Sequence, residues 1–138
     1  MIFENENSKI EIVVSGYTEN TCFMEEVRKN ILDCIIPYFM DERHGTLFSS
    51  LFMTVDIIIL HDKISELLEG KVDFAEHKSE WDAFAFRAIK QGEKYEVYVY
   101  IDDFPVGCLE DSFILSVEEL EKIKDELGQY MIDYPVVK

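Results

Sequence analysis

A run of alternating residues in the second half of the chain limits the folds open to this sequence. Val97, Val99 and Ile101 alternate with Glu96, Tyr98 and Tyr100. A period of two is typical of a β-strand that buries one face and turns the other away from the core. The segments 81–89 and 95–101 flank Lys90-Gln91-Gly92-Glu93-Lys94, which has the composition of a turn. Together they predict a β-hairpin and therefore an antiparallel sheet.

Two segments have the spacing of amphipathic helices. After Thr54 and Asp56, apolar residues recur at intervals of three and four up to Gly70, which predicts a helix with a hydroxyl cap and a glycine stop. After Ser116 and Glu118 the same arrangement recurs and ends at Tyr134-Pro135. The apolar stripes are Ile57, Leu60, Ile64, Leu67 and Leu68 in the first helix, and Leu120, Ile123, Leu127, Tyr130 and Met131 in the second.

The two helix starts resemble each other over five residues. Residues 52–56 and 114–118 both run from the end of a strand through a hydroxyl residue into a helix whose first acid complements the helix dipole. This match has two explanations. It can mark an internal duplication, or it can reflect the small number of good strand-to-helix junctions.

The first half of the chain has weaker patterns. Lys9 to Gly16 alternates like a strand, and Cys22 to Ile36 fits either a helical stripe or a β-rich run. We expect a hairpin of residues 32–40 with 46–53 around the turn 41–45, with Pro37 at an edge or a bulge. The whole sequence predicts an α+β fold in one domain, residues 1–138, with an antiparallel sheet of five to seven strands packed with two main helices.

The chain is strongly acidic but has the composition of a folded protein. It has 29 acidic and 13 basic residues, a net charge of -16, and 48% hydrophobic residues. That apolar content can form a core, so the charge is expected on a folded surface, where it can serve a basic protein partner, a metal or solubility. Nine acids and two lysines lie between residues 102 and 126. Nucleic acids and anionic lipids would be repelled, so neither is an expected partner.

The sequence predicts a cytoplasmic location. The first residues have neither a basic start nor an apolar run of signal-peptide length, and no run approaches the ~20 residues of a membrane span. Cys22, Cys34 and Cys108 are too few and too scattered for a disulfide framework. We expect free thiols that are mostly buried.

Catalytic and metal-binding patterns are absent from the sequence. Asp102-Asp103 and Glu110-Asp111 are adjacent carboxylates, but neighbours on a strand point to opposite faces, and neither pair has the spacing of a calcium loop. The three histidines lack zinc-ligand spacing, and no phosphate loop, nucleophile elbow or dinucleotide fingerprint is present. We therefore predict a protein that is not an enzyme and has no cofactor or metal.

Tyrosines and acids near the predicted acidic loop 102–107 form the best candidate for a binding surface. If Tyr98 and Tyr100 point outward, they join nearby carboxylates in an acidic, aromatic face, and tyrosine is enriched at binding hot spots. The alternative is that both sheet faces are covered and every ring belongs to the core. The predicted partner-binding residues are Tyr98, Tyr100, Asp102, Asp103, Glu110, Asp111 and Glu118.

Several short motifs occur in the order found in a known family. They are Gly16-Tyr17, Asn30-Ile31-Leu32, Gly45-Thr46, Thr54-Val55-Asp56, Val72-Asp73-Phe74-Ala75-Glu76 and the final Tyr134-Pro135. In this order the chain resembles the WapI-like immunity proteins, small proteins of Gram-positive bacteria that protect a cell from a polymorphic toxin. The resemblance implies a cytoplasmic inhibitor whose partner is a toxin domain, in several cases a nuclease with a basic groove.

The leading hypothesis is a non-enzymatic immunity protein whose acidic segment 102–126, with Tyr98 and Tyr100, binds a basic toxin surface. One alternative is a small metal-binding protein or enzyme that uses the carboxylate cluster. Another is an accessory protein that pairs exposed strand edges in a homo-oligomer.

Overall fold

The computed structural model describes residues 1–103 and 107–138, with only the backbone of Asp103. Within those residues, nine strands form two antiparallel sheets and are joined by three helices. The predicted α+β class is confirmed, and the strands are divided between a five-stranded and a four-stranded sheet. The strands are β1 (Ile2–Glu4), β2 (Ser8–Glu11), β3 (Val13–Tyr17), β4 (Ile31–Met40), β5 (Arg43–Met53), β6 (Phe74–Lys78), β7 (Phe84–Gln91), β8 (Lys94–Asp103) and β9 (Gly107–Ser116). The helices are α1 (Glu25–Arg28), α2 (Thr54–Leu68) and α3 (Val117–Asp133).

The five-stranded sheet is built around β4. Strand β5 pairs along one side of β4, while β2 and β3 share its other side, with β1 beyond β2. The strand predicted from Lys9 to Gly16 is confirmed as β-structure but is divided at Ile12 into β2 and β3. The Ile12 amide donates instead to the Met1 carbonyl at 2.8 Å.

The hairpin of β4 and β5 is confirmed, but its turn is shorter than predicted. Only Asp41 and Glu42 lie between the strands, both with positive φ (52° and 63°), because pairing continues up to Met40 opposite Arg43. Gly45 lies within β5, where a Cβ atom would come 2.9 Å from the Tyr38 hydroxyl. Pro37 lies at neither an edge nor a bulge. It is in the central strand, at the point where pairing passes from β2 to β3.

The segment 22–36, which was ambiguous in sequence, contains both kinds of structure. A single helical turn, α1, occupies Glu25–Arg28, and the strand β4 begins at Ile31. The β-branched and apolar run from Ile31 onward favours the strand, in agreement with the sheet-forming preference of such residues.

The four-stranded sheet follows the chain as a meander from β6 to β9. The predicted hairpin of β7 and β8 is confirmed, with Gly92 at φ 64° in its turn, although Trp81 lies before β7 begins. The predicted acidic loop at 102–107 is wrong for part of its length. Asp102 and Asp103 belong to β8 and Gly107 to β9, since they pair across the two strands. Residues 104–106 of that prediction lie outside the described residues.

Helix α3 starts as the sequence predicts, but α2 differs in its cap. Ser116 caps α3 by accepting from the Glu119 amide at 3.1 Å, while Glu119 accepts from the Ser116 amide at 3.2 Å. In α2, Thr54 is the first helical residue and not the cap. Its hydroxyl donates to Asn30, and Asp56 accepts from the Met53 amide at 2.7 Å. Gly70 at φ 75° ends α2, in agreement with the predicted stop.

One connected core joins the sheets and helices. Phe52 of β5 meets Phe84 of β7 edge to face, with ring centroids 4.8 Å apart, and Phe3 of β1 meets Phe113 of β9 at 5.8 Å. These pairs connect the inner faces of the two sheets. The buried helix residues that complete the core are Ile57, Leu60, Ile64, Leu67, Leu120, Ile123 and Leu127.

Three strands and a helix in each half of the fold have the same topology. In the first half, the antiparallel strands β3, β4 and β5 lead directly into α2, with only the short α1 between β3 and β4. In the second half, the antiparallel strands β7, β8 and β9 lead directly into α3. The five-residue similarity between the two junctions thus lies at equivalent points of two larger units. This topology agrees with an internal duplication.

Candidate functional site: the open face of the four-stranded sheet

The alternation in β8 separates a core face from an outward face. Val97, Val99 and Ile101 are fully buried, whereas Tyr98 and Tyr100 are half-buried and point away from the core. The prediction that these tyrosines point outward is therefore confirmed. We call the outward-facing side of β6 to β9 the open face.

Strand pairing sets the neighbours of each tyrosine on the open face. Tyr98 lies between Arg87 of β7 and Ser112 of β9, and Tyr100 lies between Ala85 and Glu110. Residues directly opposite in an antiparallel pair share a face, so these side chains form cross-strand rows. The Arg87 guanidinium lies 4.7 Å from the centre of the Tyr98 ring, within cation–π range.

Hydrogen bonding holds Tyr98 in place. Its hydroxyl donates to the Glu110 carboxylate, and this bond raises the pKa of Tyr98 to about 12. The pKa of Tyr100 is also raised, by desolvation and by the nearby Asp102 carboxylate. Both phenols stay protonated at neutral pH. Tyr100 can donate a hydrogen bond to a partner, whereas the Tyr98 hydrogen is donated to Glu110 and its oxygen can only accept.

A row of exposed apolar side chains crosses the open face beside the tyrosines. Phe74, Ile89 and Ile114 are 49%, 44% and 52% exposed, and register places them in one row with Glu96. This apolar row was not predicted from the sequence. Apolar residues at the outward positions of β7 and β9 were the signal, but they could be assigned to one row only once the pairing of the strands was known.

The open face carries charge of both signs. Among the described side chains it has the carboxylates of Glu76, Glu96, Asp102 and Glu110 and the cations of Lys78, Arg87 and Lys94. It is therefore not the uniformly acidic face that the sequence suggested. The basic side chains are positioned to pair with carboxylates within the face or on a partner.

The other predicted partner-binding residues lie elsewhere. Asp111 is paired with buried Val99 and so faces the opposite side, where Asn5 donates to its carboxylate at 3.1 Å. Burial raises the pKa of Asp111, but hydrogen bonds from Ser8, Asn5 and the Ser112 amide outweigh it and hold the pKa below its usual value. This carboxylate joins the β1–β2 turn to β9.

Glu118 is also apart from the tyrosines. It is exposed in the first turn of α3, beside Gly92 and Lys94 at the other end of the sheet from Asp102. Farther along α3, Glu126 contacts the amino group of Met1, on the core side of the sheet. The acids of 102–126 are thus distributed over several surfaces. The side chain of Asp103 lies outside the described part of the structure.

A polar and aromatic cleft of about 640 Å³ adjoins the open face. Residues of both sheets line it, and Asp102 borders both this cleft and the open face. Trp81 is fixed at the cleft by a hydrogen bond from its indole N–H to the Ser50 carbonyl at 3.0 Å, and its ring stacks on Phe23 with centroids 5.8 Å apart. The cleft was not predicted from the sequence, because its walls come from residues distant along the chain.

The three cysteines differ in their exposure. Cys34 is buried in the cleft wall, and desolvation raises the pKa of its thiol to about 12, so it stays protonated at neutral pH. Cys22 and Cys108 are exposed, so the expectation that the thiols are mostly buried is wrong. All three are free.

The described residues form neither a metal-binding cluster nor a membrane-spanning helix. Among residues 1–103 and 107–138, no three side chains of His, Cys, Asp or Glu converge as a metal site would require. None of the described helices has both the length and the apolar composition of a membrane span.

Comparison with protein-family models and with curated proteins finds no match to this chain. The resemblance to WapI-like immunity proteins thus rests on the short motifs of the sequence and stays a prediction.

Proposed function

We propose that this chain is a non-enzymatic inhibitor that binds a basic protein, a toxin domain of the kind neutralised by WapI-like immunity proteins. The open face supplies the contact surface, and the net charge of -16 supplies long-range attraction. Binding would cover a functional groove of the partner, with no chemical step contributed by this chain.

The observation that carries the proposal is the row of Phe74, Ile89 and Ile114 next to Tyr98 on a sheet whose other face is core. Glu96 lies between Ile89 and Ile114 in this row, so the face combines exposed apolar side chains with polar groups, as protein-binding surfaces do. Tyrosine and arginine, which are both present here, are the residue types that contribute most to such interfaces.

The mixed charge of the open face suits a specific interface. Glu110 and Asp102 can pair with basic residues of the partner, while the excess acid on other surfaces increases the rate of encounter without contacting the partner. The proposal therefore separates two roles for the acidic residues. Those on the open face set affinity, and those on α3 mainly set the salt dependence of association.

The test is co-expression of the chain with the carboxy-terminal toxin domain encoded directly upstream of its gene, scored by survival and co-purification. We expect rescue and a stable complex. Glu110→Lys should weaken the complex, whereas Glu121→Lys, the same charge change on the exposed side of α3, should alter mainly the salt dependence of the association rate. Equal affinity loss in the two variants would contradict the choice of surface, and absence of any complex would contradict the proposed partner.

The homo-oligomeric alternative predicts a different result from the same preparation. If a second copy covers the open face, sedimentation of the chain alone gives a dimer that Ile114→Glu converts to a monomer. A wild-type monomer at micromolar concentration would exclude it.

A further inference from the structure

The cleft beside the open face has an unusual combination of lining residues. Asp33 and Asp102 contribute carboxylates, whereas no Lys, Arg or His is found among the described residues that line the cleft. Three aromatic side chains, Phe23, Phe48 and Trp81, share its walls. A cation can be recognised by both kinds of group at once, through charge and through aromatic faces.

The carboxylates of the cleft retain capacity for a ligand. Asp33 accepts one hydrogen bond, from the Ser50 hydroxyl to Oδ1 at 2.6 Å, and no described lysine or arginine forms an ion pair with Asp33 or Asp102. Each carboxylate can accept about four hydrogen bonds. Each of the two groups can therefore receive further donors at the cleft.

The aromatic groups favour a planar cation. Trp81 and Phe23 are nearly parallel, at 30°, and the indole is held by its bond to Ser50, so one aromatic wall is fixed before a ligand arrives. Phe48 is 71% exposed at the border of the same cleft. A guanidinium group stacks on aromatic rings and donates five hydrogen bonds in one plane, which an ammonium group does not.

We infer that this cleft receives an arginine side chain from the protein partner, an inference that rests on the proposed function and specifies its chemistry. Asp102 borders both surfaces, so a partner lying on the open face is in position to insert a side chain into the cleft. The open face then supplies area, and the cleft supplies selection for a basic partner. Neutral or acidic proteins would leave the two carboxylates without a counter-charge.

The first experiment uses a small probe and needs no knowledge of the partner. Trp81 is the single tryptophan of the chain, so its fluorescence reports directly on the cleft. Titration with N-acetyl-arginine amide should give a saturable change, whereas the neutral analogue N-acetyl-citrulline amide, of nearly the same shape, should give none. A response of equal size from citrulline, or no saturable response to arginine, would overturn the inference.

Two variants make the result specific to the cleft. Asp33→Asn keeps an acceptor for the Ser50 hydroxyl and should weaken arginine binding by about tenfold, the effect of losing one charge-assisted contact. Glu121→Gln removes one charge from α3 and should leave the affinity unchanged. Equal effects of the two variants would show a general field effect and would contradict a built site.

Failure of this inference can be told apart from failure of the proposed function. If the toxin complex forms and Tyr98→Ala weakens it while Asp33→Asn does not, the open face is the interface and the cleft receives no arginine. If Asp33→Asn weakens the complex and arginine amide competes with the toxin, the inference holds. Binding of arginine amide without binding of the toxin would support the arginine site in the cleft and would contradict the toxin as the partner.

Discussion

Asp56 provides a quantitative test of how the two sheets are joined. Its side chain is 5% exposed and has two partners. One carboxylate oxygen accepts from the Met53 amide at 2.7 Å at the start of α2, and the other lies 2.8 Å from Nε2 of His77 in β6. The contact therefore connects the helix that follows the five-stranded sheet with an edge strand of the four-stranded sheet.

The expected effect of Asp56→Ala follows from these two contacts. Hydrogen bonds to charged groups each contribute about 1.5–3 kcal/mol, and Asp56→Ala removes two of them. The His77 side chain is only 9% exposed, so water does not easily replace the lost carboxylate. We expect a loss of about 4 kcal/mol in the free energy of unfolding, which lowers Tm by roughly 12–16 °C for a domain of this size.

Urea denaturation followed by circular dichroism measures this loss. Asp56→Asn is the matched control, because an amide retains the acceptor for Met53 and can donate to His77, so it should cost only about 1–2 kcal/mol. A double-mutant cycle of Asp56→Ala with His77→Ala should give a coupling energy of at least about 1 kcal/mol. Additive losses, or an Asp56→Ala cost below about 1 kcal/mol, would refute the reasoning.

Three other predictions concern separate parts of the fold. Native protein at pH 8 should react with a thiol reagent at two of its three cysteines, whereas Cys34 should react only on unfolding. Mass spectrometry counts the modified thiols, and fast modification of Cys34 in the native protein would contradict its burial. Glu42→Gly should raise the free energy of unfolding by about 0.5–1 kcal/mol, because glycine adopts the positive φ at this turn position without a Cβ clash. Thermal melts measure the effect, and a lower Tm in the variant would contradict a positive φ at residue 42. The pKa of Tyr98 is raised to about 12 from an ordinary 10.0, so the contribution of this group to stability is complete below pH 10 and is lost as the pH rises to 12. Glu110→Gln should lower the pKa of Tyr98, as measured by an absorbance titration at alkaline pH. An unchanged titration would contradict the hydrogen bond between Tyr98 and Glu110.

Local patterns predicted the elements whose residues specify them directly. The alternation in β8 and the helix cap at Ser116 depend on neighbours within a few residues, and both are confirmed. The boundaries were less accurate where pairing decided them. Asp102 and Asp103 belong to β8 because Cys108 and Gly107 lie opposite, a fact that no local composition contains.

The candidate site was predicted only in part, for a related reason. Tyr98, Tyr100 and Asp102 could be placed on one face from alternation, whereas Glu110 and Asp111 were included for their charge. Glu110 lies opposite Tyr100, but Asp111 binds Asn5 on the other side of the sheet. The apolar row and the cleft depend on long-range contacts. Trp81 reaches Ser50 across 31 residues, and only the folded chain brings these groups together.

The measurement that tests the central claim most directly is the affinity of the chain for the upstream toxin domain, determined by calorimetry for the wild type and for Tyr98→Ala combined with Ile114→Ala. Both side chains are accessible, so their truncation should leave the core intact. We expect Kd to rise at least about 30-fold, the effect of losing about 2 kcal/mol of interface contacts, while Tm changes little. An unchanged Kd with an intact fold would contradict the claim that the open face is the binding surface.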